Sequence, residues 1–322
     1  MPIVRREFLA SLGSAAAAAL TDSFLSARES TPVLHSPFRV AVINDEISQD
    51  FGRACEIAAQ EFGMQWIELR GMWNKNILKL DEKEVSEARR TLKKYNLRVT
   101  DIASPLFKVD WKGAPRSKFS EAEDFHADFT FDQQDEALER AIHLAKAFQT
   151  DRVRCFDFWR LDDQESYRAA INEKLLDAAT KAGKKGITLL LENDSGLNTA
   201  TGAEAAKVLD AVKSPHLMLN WDPGNAAASG ETPYPDGYDL LPKDRIGHCH
   251  CKDAIKHGND YDWAAMGRGI VDWAGQFRAL KRDGYHFAVS LETHWEGGGT
   301  PEESSRQSWA GMKGLLQKAG AL

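Results

Sequence analysis

"ITLLLEN" (187–193) is the stretch that decides the fold. Ile187 and Leu189, Leu190 and Leu191 put apolar side chains on both faces of an extended segment. A strand with one wet face alternates apolar and polar residues, whereas a strand of a parallel sheet, covered by helices on both sides, does not. The same unit recurs in both directions. Upstream, strand-like runs are "FRVAVI" (38–43), "QWIEL" (65–69), "LRVTDIA" (97–103) and "RVRCFDF" (152–158). Between them, helical spacing marks 50–63, 81–96, 134–148 and 166–183. Downstream come "LMLNWD" (217–222), "IGHCHC" (246–251) and "FAVSLET" (287–293), with helical segments at 202–212, weakly at 237–244, at 271–284 and at about 302 to 318. Alternating strands and helices imply a parallel sheet with right-handed crossovers. Eight units favour closure into a single-domain (β/α)8 TIM barrel, an architecture of about 250 residues. No G-x-G-x-x-G follows the first strand, which argues against an open dinucleotide-binding sheet.

The chain has 322 residues, 43% hydrophobic and 28% charged, with net charge -7. Such acidity opposes nucleic-acid binding, which needs a basic surface. "MPIVRREFLASLGSAAAAAL" (1–20) pairs Arg5 and Arg6 with an alanine-rich run, the order of a twin-arginine export signal. Residues 1–36 are therefore expected to be signal and linker, residues 37–322 the barrel, and the mature protein periplasmic, without a membrane span. Four cysteines do not make a disulfide framework even in an exported chain, so free, mostly buried thiols are expected. The polar stretch 107–131 is too long for a plain connection and reads as a lid or binding loop.

Four consecutive late strands end in metal-binding residue types. The fifth ends in Glu192, the sixth in Asp222, the seventh carries His248 and His250, and the eighth ends in Glu292. In a barrel the C-terminal strand ends converge on one mouth. Two glutamates, an aspartate and a histidine make an oxygen-rich site suited to one divalent ion, Mn²⁺, Mg²⁺, Co²⁺ or Zn²⁺. "IGHCHCKDA" (246–254) could instead be a zinc knot. On a strand, however, His248, His250 and Lys252 share one side and Cys249 and Cys251 the other. His250, nearer the strand's end, is the better ligand, and His248 lies one layer deeper.

At these residues the chain resembles the xylose-isomerase-like TIM-barrel superfamily, the sugar phosphate isomerase/epimerase group. The likeness runs from about residue 38 to the end, through "WIELRG" (66–71), "LLLEN" (189–193), "DPGNA" (222–226), "HCHCKDA" (248–254), "MGRGIVDW" (266–273) and "GYHFAVSLE" (284–292). The resemblance implies that a divalent metal is held by Glu192, Asp222, His250 and Glu292. It also implies that Glu192 and Glu292 move a proton at the carbon beside a carbonyl. Some sugar epimerases of this group carry a histidine three residues after the metal-binding aspartate, where this chain has Asn225.

Further candidates around the mouth are Glu68, with Arg70 beside it, Trp159, Asn225, Lys252, Arg268 and Trp295. Glu68 and Arg70 form either an ion pair or substrate contacts, the two tryptophans either a wall against a sugar ring or core. Arg268, within "GRG", contacts substrate or caps the next helix. The expected partner is a small carbohydrate, without phosphate since no phosphate-cradling glycine loop is present, and the chain is free to self-associate. The resulting expectation is a metal-dependent isomerase or epimerase of a sugar or keto-sugar. The alternative is a lyase or dehydratase that removes the same proton and expels a β-leaving group from a keto-sugar, inosose or oxidised glycoside. A non-catalytic sugar-binding protein and an abasic-site endonuclease are weaker readings.

Overall fold

The computed structural model of the chain describes residues 34–120, 129–258 and 260–322. The export signal expected at 1–36 falls, up to residue 33, outside the described residues. Strands β1 (Arg39–Val42), β2 (Trp66–Leu69), β3 (Arg98–Leu106), β4 (Arg152–Cys155), β5 (Thr188–Glu192), β6 (Leu217–Trp221), β7 (Ile246–Cys251) and β8 (Ala288–Leu291) form one parallel sheet in which each strand neighbours the next. β8 returns to β1, in register from Arg39↔Ala288 to Val42↔Leu291. A single parallel bridge, Ile43↔Glu68, joins β1 to β2 and closes the ring. The domain is a (β/α)8 TIM barrel.

Around it lie α1 (Phe51–Glu56), which widens into a π turn at Ile57–Glu61, α2 (Glu82–Lys94), α3 (Gln134–Ala147), α4 (Gln164–Gly183), α5 (Gly202–Ala211), α6 (Pro223–Ala228), α7 (Trp273–Arg282) and α8 (Pro301–Lys318). The sequence starts most of them with an Asp or Thr whose side chain accepts a first-turn N–H: Asp50, Asp81, Asp163, Thr201, Asp222, Asp272 and Thr300. Leu189, Leu190 and Leu191 are all fully buried, as a strand covered on both faces requires. Among the described residues no helix is long and apolar enough to cross a membrane.

Two connections depart from the sequence reading. The helix expected at 237–244 is a π turn at Pro233–Gly237, one helical turn at Tyr238–Leu240 and a 3₁₀ turn at Lys243–Arg245. Pro242 forces Leu241 into extended backbone and ends the helical run. After β7 the chain forms an antiparallel ribbon, Asp253–His257 paired with Asp260–Ala264, instead of passing straight to a helix. Of the stretch 107–131, residues 121–128 lie outside the described residues.

All four cysteines are buried free thiols. Among the described residues none of them joins a group able to hold a metal, so the zinc knot is not formed. Cys249→Ser and Cys251→Ser are each expected to cost about 1–3 kcal/mol, the cost of a buried hydroxyl with poor partners. Thermal or urea midpoints should fall while divalent-ion content stays at the wild-type level. Loss of the ion from a folded Cys variant would bring the knot back.

Candidate metal centre

The ends of β5 to β8 bring Glu192, Asp222, His250 and Glu292 together, with one donor atom from each lying within 4.8 Å of the others. All four are buried. His250 Nδ1 sits 3.2 Å from Glu292 Oε2, 3.4 Å from Glu192 Oε1 and 3.9 Å from Asp222 Oδ2. Its other nitrogen, Nε2, lies 2.9 Å from Glu68 Oε1. A carboxylate only accepts, so Nε2 carries the proton there and Nδ1 faces the cluster. Glu68 Oε2 takes His248 Nε2 at 3.1 Å, so one carboxylate on β2 steadies both histidines across the barrel. His248 lies beneath, with Nδ1 3.4 Å from Asp101 Oδ1.

The two glutamates are arranged alike. Glu192 Oε2 accepts from Arg154 Nη1 at 3.1 Å, and Glu292 Oε1 accepts from Arg70 Nη1 at 3.3 Å. Each therefore turns its remaining oxygen toward His250 Nδ1. Asp222 divides its duties too. Oδ1 caps α6 by accepting Asn225 N–H at 2.9 Å, while Oδ2 faces Lys252 Nζ at 2.9 Å. Asn225 Nδ2 ties Asp222 Oδ2 to the Asn193 carbonyl at 3.0 and 2.9 Å. A Cβ on Gly224 would come within 2.6 Å of Lys252 Cγ, so glycine is what lets that stem pass into the cluster.

The donor set suits a divalent cation. His250 Nδ1 is buried without a hydrogen-bond partner, aimed at three carboxylates. The Lys252 ammonium, 2.7 Å from Glu292 and 2.9 Å from Asp222, shows that these oxygens converge on positive charge. Burial works against a charged His250, yet Glu68, Glu292 and Glu192 together raise its pKa well above the ordinary value. Burial likewise opposes ionised Glu292, but Lys252, His250 and His294 hold its carboxyl well below the usual range. Burial pushes Asp222 up to about 6 against the pull of Lys252. The negative potential behind the His250 shift is what a cation site presents. A neighbouring trio, Glu46, Glu292 and His294, is of similar type, but Arg70 already pairs with Glu46 at 2.7 Å and with Glu292.

A cavity of about 250 Å³ opens over the cluster. Glu192, Glu292, Asn225, Lys252 and Trp159 line it, as do Arg70, Arg154, Lys108, Trp263 and His294. Glu68 is fully buried beneath the histidines and does not reach it. Trp295 lines a second, adjoining cavity of about 590 Å³. Arg268 is exposed and borders neither. Asp253 accepts the backbone N–H groups of Gly267, Gly269 and Val271 at 2.9, 3.0 and 3.2 Å, so the loop turns its backbone inward and Arg268 outward. Arg154, His294 and Trp263 escape a sequence reading. The alternation Arg152-Val-Arg154-Cys and the position of His294 two residues after Glu292 are the available signals, and for Trp263 it is the short alternation Asp260-Tyr261-Asp262-Trp263 on the unforeseen ribbon.

The model of the family described as "Xylose isomerase-like TIM barrel" matches residues 57–315. No curated protein matches the chain. Among solved structures, the IOLI protein with a binding zinc atom is 14% identical, with TM-score 0.67 over 88% of this chain and 98% of that one. The probable 3-DHS dehydratase AsbF of Bacillus anthracis is 21% identical, with TM-score 0.65 over 87% and 99%. The D-allulose 3-epimerase of Methylomonas sp., in complex with D-allulose, is 19% identical, with TM-score 0.63 over 89% and 99%. At these identities the likeness is one of fold.

Proposed function

The chain belongs to the xylose isomerase-like TIM barrel family, and from that premise we propose that it is a divalent-metal-dependent isomerase or epimerase of a sugar or keto-sugar. In this reading Glu192, Asp222, His250 and Glu292 hold the ion, and Glu192 and Glu292 transfer a proton at the carbon next to the substrate carbonyl. One observation carries the reading: two buried glutamates that line the cavity flank His250 Nδ1, each with one oxygen fixed by an arginine and the other turned to that nitrogen. The ion, when bound, polarises the carbonyl and so acidifies the neighbouring C–H. The chain's own groups do the rest. One glutamate takes the proton and the other is placed to return one. Arg154 and Arg70 hold one oxygen of each carboxylate, and Trp159, Trp263 and Asn225 line the space where the substrate sits. An epimerase, a probable dehydratase and a zinc-containing protein among the solved neighbours support this class of chemistry.

The test is solvent hydrogen. Turnover of a keto-sugar in D₂O should place deuterium at the α-carbon. A hydride shift would move the hydrogen between carbons without washout, so confirmed isomerisation lacking deuterium would sink the proposed shuttle. Elimination shares the first proton transfer, and the adjoining cavity beside Glu292 leaves room for a departing group. Product mass separates the two, because isomerisation leaves it unchanged.

Glu68 has a supporting role here, fixing the tautomer and angle of His250. Glu68→Gln is expected to weaken divalent-ion binding by about 10–100-fold, the usual cost of losing the partner behind a metal-binding histidine. Competitive titration with Mn²⁺ or Co²⁺ measures it, and an unchanged affinity would remove Glu68 from the centre.

A further inference from the structure

Resting on the proton-transfer reading, we infer that the substrate carries a second sugar ring, bound in the cavity beside the metal centre. The two cavities adjoin at Arg70, Trp263 and His294, which line both. The inner one, about 250 Å³, falls below the roughly 300–1,000 Å³ usual for ligand pockets. With the outer one, about 590 Å³, the space comes well within that range.

The outer cavity has the chemistry of a carbohydrate site. Trp263 and Trp295 supply indole surface for the C–H side of a ring, and Glu46 and Glu296 supply acceptors for its hydroxyls. The Trp295 ring is held in place. A Cβ on Gly297 would come within 2.5 Å of indole Cζ2, so only glycine lets the loop lie against it. The backbone aims it as well. Trp295 N–H bonds back to the Thr293 carbonyl across His294, whose φ is 43°. A three-residue turn with positive φ at a non-glycine is strained and persists only where its surroundings hold it. Its effect is to send Glu292 into the inner cavity, Trp295 into the outer one, and His294 between them. A half-buried aromatic fixed before the ligand arrives loses little freedom on binding.

The experiment uses Mn²⁺-loaded full-length protein and two probes, methyl 3-keto-β-glucoside and cellobiose oxidised at C3 of its non-reducing ring. Affinities come from calorimetry, and α-hydrogen exchange in D₂O is followed in parallel. The disaccharide should bind about tenfold tighter or more. Trp295→Ala should bring the ratio of the two affinities close to one, and Trp295→Phe should restore part of it. Glu296→Gln, which alters an exposed side chain, should lower the ratio a few-fold and does not depend on the loop tolerating a lost indole. Equal affinities in wild type, binding of neither probe, or a ratio indifferent to both Trp295→Ala and Glu296→Gln overturns the second ring. Exchange without a disaccharide preference sinks the second ring alone. A preference without exchange keeps the ring and sinks the proton-transfer reading.

Discussion

Glu192→Gln and Glu292→Gln are each expected to slow α-hydrogen exchange with solvent by about 10²–10⁴-fold, the scale of a positioned acid or base. Glutamine keeps the size and one weak oxygen donor but cannot take a proton at the working pH. The arginines sharpen the expectation. Arg154 and Arg70 now bond to carboxylate oxygens at 3.1 and 3.3 Å, and a side-chain amide can offer each of them only its own oxygen. The NH₂ group, which cannot ligate a cation, then takes the place beside His250 Nδ1. Some of the loss will therefore come through weaker ion binding. The comparison must be made on ion-loaded variants, with occupancy measured on the same samples. Full exchange in either loaded variant would exclude that glutamate as the proton carrier.

Asp222→Asn is expected to remove most of the bound ion, from about one per chain in the wild type, as read by elemental analysis after dialysis. The substitution separates the residue's two duties. Asparagine is as good an N-cap as aspartate, so α6 keeps its start at Asn225 N–H, while the charge facing Lys252 and His250 is gone. Saturating Mn²⁺ should stabilise the wild type by about 2.7 kcal/mol at a hundred times Kd and the variant far less. His250→Ala should behave likewise, with an added loss of stability because the buried Glu68 carboxylate keeps only His248 as its partner. A variant that melts like the wild type and still rises with Mn²⁺ would place the ion elsewhere.

The fold was legible because the code for a parallel barrel is local. "ITLLLEN" declares burial on both faces by itself, and β7 falls on Ile246–Cys251, the residues whose alternation marks them as a strand. Strand ends are local too, so Glu192, Asp222, His250 and Glu292 can be picked out as a set before any contact is known. Contacts across the ring are not local. Glu68 meets His248 and His250 at separations of 180 and 182 residues, and no spacing rule links them. Arg154 looks like an edge residue until Glu192 and the carbonyls of Ala103 and Ser104 are seen around its guanidinium. Trp263 depends on a ribbon whose strands are five residues each, and the brief alternation Asp260-Tyr261-Asp262-Trp263 that marks one of them says nothing of where it packs. Arg268 misleads for the opposite reason, since the glycines beside it serve the backbone's approach to Asp253 and not a ligand.

The single bridge that closes the ring, Ile43 to Glu68, makes assembly its own inspection step. Every proposed ion donor is supplied by β5 to β8 and their ends, so a full-length chain refolding from denaturant, in which only its C-terminal half has come together, already owns all four. What it lacks is Glu68, which comes with β2 and then steadies His250, the cluster's own histidine. A barrel left open at that seam would grip an ion poorly and surrender it to a chelator. Protection of the ion from chelation thus reports completed folding, and a mutation that merely weakens the seam, at Ile43 for example, should be detected first as a leak of metal.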